Sequence, residues 1–180
     1  MTATTTLVGA KGGVGTTTVA VLHALELARS GQVVRLTAND PGSVDDLAAV
    51  LGVPAPEPGA TVDVLPHLSL ADHPSPEGHT VVDAGTDTFS DHTGPVYVVL
   101  RNDYLSLRRA LNVPRTTTGL VLLNEPTRAL GRRDVEEVLA HPIAAELVVD
   151  PAVARAVDAG VLSTRSRWRL HLDPAPGVPC

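Results

Sequence analysis

The sequence predicts an α/β fold of three layers, with helices on both faces of a mostly parallel sheet, and three observations predict it. Short runs of β-branched and apolar residues alternate with stretches whose apolar positions recur at helical spacing. The first run meets the first helical stretch through a turn in which three of the four residues 12–15 are glycine. The bulk is Ala, Val, Leu, Gly and Pro with only 2% aromatic residues, so packing must be aliphatic, as in a parallel sheet covered on both faces. At 180 residues and 43% apolar content the chain can bury one core, and it reads as one domain over residues 1–162 with a tail, 163–180.

Taken in order, residues 4–8 form the first expected strand, ending at Gly9. Residues 16–29 carry Val19, Leu22, Ala24, Leu25, Leu27 and Ala28 on a helical repeat, and Ser30-Gly31 stops the helix. A second strand follows at 33–36. Asn39-Asp40-Pro41-Gly42-Ser43 then leads into a helix with Ser43 as N-cap and Gly52 as stop. Residues 53–60 make a stiff proline-rich connection, 61–65 a short strand and 66–78 a surface loop. His67, Asp72 and His73 lie in that loop with His79 beyond it, and no helix or tight hairpin converges them on a metal. Strands are expected at 80–83, 96–100, 119–123 and 143–149, with a turn and helix within 101–111 and a helix from 132 or 134 to 140. Pro151 at the first helical position and Gly160 past the end mark the last helix. Residues 163–172 alternate arginine with bulky residues at strand period, predicting a final edge strand.

Two segments carry chemistry. In Gly9-Ala10-Lys11-Gly12-Gly13-Val14-Gly15-Thr16-Thr17-Thr18 the glycines let backbone N–H groups curl around an anion, and the following helix presents its positive end to the same point. Such a cradle suits a nucleoside triphosphate. In the general pattern G-x-x-x-x-G-K-[ST] a lysine reaches the β- and γ-phosphates and a hydroxyl holds Mg²⁺. Gly15 and Thr17 fit it, Ala10 takes the first glycine position, and Thr16 stands where the lysine belongs. Lys11 is the only lysine beside thirteen arginines. The second segment, Thr80-Val81-Val82-Asp83-Ala84-Gly85, is an apolar strand ending in a carboxylate, which would stand beside Mg²⁺ at the sheet's C-terminal edge.

Lys11-Gly12-Gly13-Val14-Gly15 followed by hydroxyl residues resembles the deviant Walker A motif of the ParA/MinD family, SIMIBI-type P-loop ATPases that usually read K-G-G-V-G-K-T-T. The resemblance, with gaps, runs from about residue 4 to residue 162. It implies ATP and Mg²⁺ as cofactors, with the backbone of Gly12, Gly13, Val14, Gly15, Thr16, Thr17 and Thr18 around the phosphates and Mg²⁺ on Thr17 and, through water, Asp83. Lys11 would reach across a nucleotide-sandwich homodimer to the partner's phosphates. Asp40-Pro41 matches the family's D-x-D-P-Q-G-S segment, with Ala38 in place of the first aspartate, so Asp40 would orient the attacking water; an Asp-Pro turn capping a helix is the alternative. Gly85 would serve as the second-switch glycine, although the usual D-x-P-x-G form is missing. Asn124 would hydrogen-bond adenine or simply terminate its strand, and backbone near Pro151 would lie by the base. A threonine at the Thr16 position also occurs in the CpaE/TadZ branch, which this chain resembles at the motif.

A missing P-loop lysine should cost about 1.5–3 kcal/mol of phosphate binding, and hydrolysis suffers more because phosphoryl transfer depends on electrostatics. The expected function is an ATP-binding switch that dimerises and positions or partitions cargo, with weak hydrolysis or none. The alternative is a non-catalytic scaffold acting through protein contacts. The lone Cys180 excludes an internal disulfide, and the absence of a leader or a long apolar run predicts a cytoplasmic protein. Residues 1–100 carry three basic and eleven acidic side chains against eleven and nine in 101–180. The arginines of the second half read as solvated helix faces, with membrane-surface or nucleic-acid contact the lesser alternative.

Overall fold

The computed structural model describes residues 2–87, 92–113, 116–164 and 168–172. In chain order the elements are β1 (Ala3–Gly9), α1 (Thr16–Arg29), β2 (Val34–Ala38), α2 (Pro41–Leu51), β3 (Thr61–Leu65), β4 (Leu68–Ala71) and β5 (His79–Asp83). They continue with β6 (Val96–Arg101), α3 (Tyr104–Ala110), β7 (Gly119–Asn124), α4 (Arg132–Leu139), β8 (Ile143–Val148), α5 (Pro151–Asp158) and a 3₁₀ turn, Leu162–Thr164. Eight strands form one sheet in the order β3-β4-β2-β5-β1-β6-β7-β8, parallel throughout except where β3 runs against β4 at the edge. Helices cover both faces, as predicted.

Strand pleating sorts the core. From β6 and β7, Val99, Val121 and Leu123 point into a large cluster with α1, α2 and Ala156 of α5, while Val98, Leu100, Leu120 and Leu122 meet Leu107 of α3 and Val135 of α4 on the other face. Helix α1 is buried along most of its length because α2 packs beside it and the tail crosses over it. The register of the central strands sets the site: Asp83 lies opposite Leu7 of β1 on one side and Ala38 of β2 on the other. The ends of three strands therefore meet around one carboxylate.

Three expectations are corrected. Residues 66–78 are not wholly a surface loop: they contain β4, whose Leu68 and Leu70 are 2% and 0% exposed and which pairs in parallel with β2. A four-residue Leu-Ser-Leu-Ala strand, preceded by His67 at φ 69°, leaves too short an alternation to read. Helix α2 is capped by Asp40, not Ser43, because Pro41 needs no N–H partner and its fixed φ suits the first helical position. The described part of the tail forms no edge strand: residues 162–164 form the 3₁₀ turn and 168–172 form no strand, while 165–167 and 173–180 lie outside the described residues. What holds it is burial. Leu170 and Leu172 are 2% and 6% exposed, each contributing about 1.5–3 kcal/mol. Among the described residues no helix is long and apolar enough to cross a membrane.

Candidate nucleotide site

The glycine turn joins β1 to α1 at the C-terminal edge of the sheet and is fastened at both shoulders. Gly9 donates its N–H to the Gly85 carbonyl at 2.6 Å, and Ala10 donates to Val99 of β6 at 2.9 Å. Val14, fully buried, pins the middle of the loop to the core. Gly13 and Gly15 hold φ of 74° and 102°, a left-handed backbone that L side chains resist. Gly15 is the N-cap of α1 and supplies no side-chain cap, so the first amides of the helix are left to face the loop. Gly12 and Gly13 are exposed, with open space where a side chain would project.

At the floor of the loop Thr17 donates its hydroxyl to Asp83 Oδ2 at 2.6 Å, and the Gly85 N–H reaches Asp83 Oδ1 at 3.0 Å. Asp83 is 1% exposed. Burial pushes its carboxyl above the usual range; the bonds from Thr17 and Gly85 pull it back, and the charges of Asp40 and Asp46 push it up again. A buried carboxylate with acidic neighbours is short of positive charge. A hydroxyl and a carboxylate are hard oxygen donors, which suit Mg²⁺, an ion that takes one or two protein groups and completes its shell with water and phosphate. Among the described residues no group of three or more His, Cys, Asp or Glu could hold a metal unaided, so Thr17 and Asp83 form a partial donor set.

The remaining predicted residues are distributed around this centre. Lys11 is half-buried in the loop; burial raises the Asp103 carboxyl, but bonds from the Ser106 backbone and hydroxyl, and after them the charge of Lys11, hold it below its usual range. Thr16 is 8% exposed, its hydroxyl lying against Gly9 where a side chain at that position would stand. Thr18 opens onto a neighbouring cavity. Asp40 spends both oxygens on Ser43, Oδ1 on the backbone N–H at 2.9 Å and Oδ2 on the hydroxyl at 2.6 Å, and the Ser43 hydroxyl bond is the main reason its carboxyl stays below the usual range. Gly85 likewise has its N–H on Asp83. Asn124 has its amide occupied at both ends, accepting from Asn102 at 2.8 Å and donating to Glu146 at 2.6 Å. Pro151 begins α5 behind Asp150, whose carboxylate accepts from Ala152 N–H at 2.7 Å.

The cavity beside the loop has a volume of about 540 Å³ and lies between the start of α1 and the β8–α5 turn. Its walls are mainly aliphatic, including Leu123, Val149 and Val153, and it is bordered by Arg101 and Trp168. Sequence reasoning gave neither of these two a role. Arg101 donates through Nε to the Val14 carbonyl at 3.3 Å and through Nη1 to Glu125 at 2.9 Å, tying the end of β6 to the loop. Its position directly after an apolar strand whose neighbour feeds the loop was the available signal.

No protein-family model and no curated protein matches the sequence. Solved structures do match the fold. The ParA family ATPase from Chlorobium tepidum TLS superposes with a TM-score of 0.71 at 17% identity, over 92% of this chain and 93% of that one. MinD complexed with Mg-ADP from Pyrococcus horikoshii OT3 gives 0.71 at 15% identity, over 91% and 88%. The fold is that of the ParA and MinD ATPases. The Aquifex aeolicus MinC:MinD cell division complex gives 0.72 at 15% identity, over 88% and 86%. Within this ParA/MinD-like fold the glycine turn, Asp83 and the adjoining cavity lie at the C-terminal ends of the strands, where open α/β sheets take their ligands.

Proposed function

We propose that the chain is an ATP- and Mg²⁺-binding molecular switch that dimerises on nucleotide and helps to position or partition cellular cargo or machinery in the cytoplasm, with weak hydrolysis or none. The observation that carries this reading is the Thr17–Asp83 pair, 2.6 Å apart beneath an open glycine loop whose Gly13 and Gly15 hold left-handed backbone. A solved MinD of the same fold binds Mg-ADP, and another assembles with MinC, which supports a nucleotide ligand and a protein partner here.

In this reading the amides of residues 12–17 hold the phosphates, and Thr17 with Asp83 would hold Mg²⁺, which when bound neutralises phosphate charge. The deviant lysine, Lys11, serves the partner's phosphates across the dimer. Asp40 orients water through Oδ2, which the Ser43 hydroxyl can release by rotating while the backbone cap bond to Oδ1 stays in place. Thr16 makes no charge-assisted bond, and its hydroxyl is directed at Gly9. Transition-state charge is therefore poorly met and turnover is slow. That same orientation, with Ala38 opposite Asp83 where the family pattern has an aspartate, favours the second reading, a pseudo-ATPase scaffold acting through protein contacts.

Thermal melting with and without Mg-ATP, followed by sizing of wild type and Lys11→Ala, separates the two. A raised Tm and an ATP-dependent dimer lost in the variant support the switch. No shift and no dimer at millimolar Mg-ATP support the scaffold.

A further inference from the structure

We propose that Trp168, carried by the tail, is the stacking wall for the base of the bound nucleotide, so that base recognition rests on an aromatic surface from outside the sheet. The inference rests on the phosphate site proposed above and concerns what the adjoining cavity reads.

The cavity begins at Gly15 and Thr18, where the loop's amides give way to the helix, so a ligand anchored by phosphate in the loop extends its remaining bulk into this space. Its volume of about 540 Å³ is within the range that holds small-molecule ligands. Asn124, the expected hydrogen-bonding reader of the base, is not among the residues that line this cavity, and its amide already accepts from Asn102 and donates to Glu146. Aliphatic walls exclude water but do not orient a planar ring. An indole does, and the chain's only tryptophan stands at this cavity in a protein with 2% aromatic residues.

The indole is held in place before any ligand arrives. Its Nε1 donates to Asp150 Oδ2 at 3.4 Å, and the Trp168 carbonyl accepts from Arg29 Nη1 at 3.5 Å. Arg169 pairs with Glu26 at 3.0 Å, and Leu170 and Leu172 are buried in the core beyond it. Binding therefore does not have to order this wall, which keeps the stacking contribution in the net affinity. Tail and phosphate loop thereby become two halves of one binding surface.

The sole tryptophan supplies its own test. Mg-ATP and inorganic tripolyphosphate are titrated into the full chain, following both heat and tryptophan emission. Mg-ATP is expected to change the emission saturably, and tripolyphosphate to bind without changing it. Trp168→Leu should weaken Mg-ATP by roughly 5- to 100-fold while leaving tripolyphosphate unaltered, and Trp168→Phe should restore most of the loss. Heat from Mg-ATP with flat emission overturns this inference alone, as does a Trp168→Leu variant that binds Mg-ATP equally or more tightly, since the indole would then be a plug. Absence of heat from both ligands overturns the phosphate site and this inference together. Should Trp168→Leu fail to fold by thermal melting, the wild-type emission and the Trp168→Phe affinity decide.

Discussion

Mild acidification should destabilise this protein, in large part through one helix-buried imidazole. His23 lies on α1 at 5% exposure, with Nδ1 lacking a hydrogen-bond partner among the described residues. Its pKa is lowered from 6.5 to about 3, first by burial and then by the charges of His79 on β5 and His171 in the tail, against a bond the imidazole donates to the Leu170 backbone, which raises it. His79 meets it edge-on at 6.2 Å and is itself lowered by burial. Because the folded value lies below the unfolded one, the unfolded chain binds the proton better. Stability is complete above pH 6.5 and is lost as pH falls from 6.5 toward 3. Between pH 7 and pH 5 the loss from His23 is about 2 kcal/mol, or about 4–8 °C in Tm for a chain of this size. Depressed carboxylates such as Asp40 and Asp103 act at lower pH and are common to wild type and variant. Calorimetric melts at pH 7 and pH 5 on wild type and His23→Leu should show the variant's drop smaller by that amount. Equal drops in the two proteins would refute the reasoning.

Three further outcomes follow from the site. Thr16→Lys restores a charge-assisted phosphate contact and should tighten Mg-ATP about 10- to 100-fold, measured by calorimetry, with a parallel gain in phosphate release; unchanged affinity would place the nucleotide elsewhere. Asp83→Asn removes a buried charge that burial disfavours, so the ligand-free Tm should stay level or rise while the Mg²⁺ dependence of ATP binding disappears. Asn124→Ala breaks bonds to Asn102 and Glu146 and should cost about 1–3 kcal/mol in urea unfolding, yet leave the ratio of ATP to GTP affinity where it was.

The sheet and its helices were legible because their signals are local: apolar runs such as Val96–Arg101, helix starts such as Pro151, and a glycine turn whose neighbours specify it. Asp83 could be placed for the same reason, since an aspartate ending a buried strand has one face of the sheet edge to occupy. What stayed hidden depends on contacts distant in the chain. β4 is a strand only because β2 and β3 flank it, and two leucines give no periodicity by themselves. Residues 168–172 alternate like a strand, yet burial of Leu170 and Leu172 decides their path and leaves the alternation without a sheet edge. Asp40 and Asn124 were correctly located at element ends, but their partners Ser43, Asn102 and Glu146, which occupy their polar atoms, follow from side-chain geometry that no motif encodes.

Amide resonances of residues 12–17, followed while Mg-ATP is added to isotope-labelled protein, test the phosphate cradle most directly. Those of the loop and the first turn of α1 should move together and saturate, with Thr17 among the largest shifts. Amides that stay fixed through millimolar Mg-ATP would contradict the account.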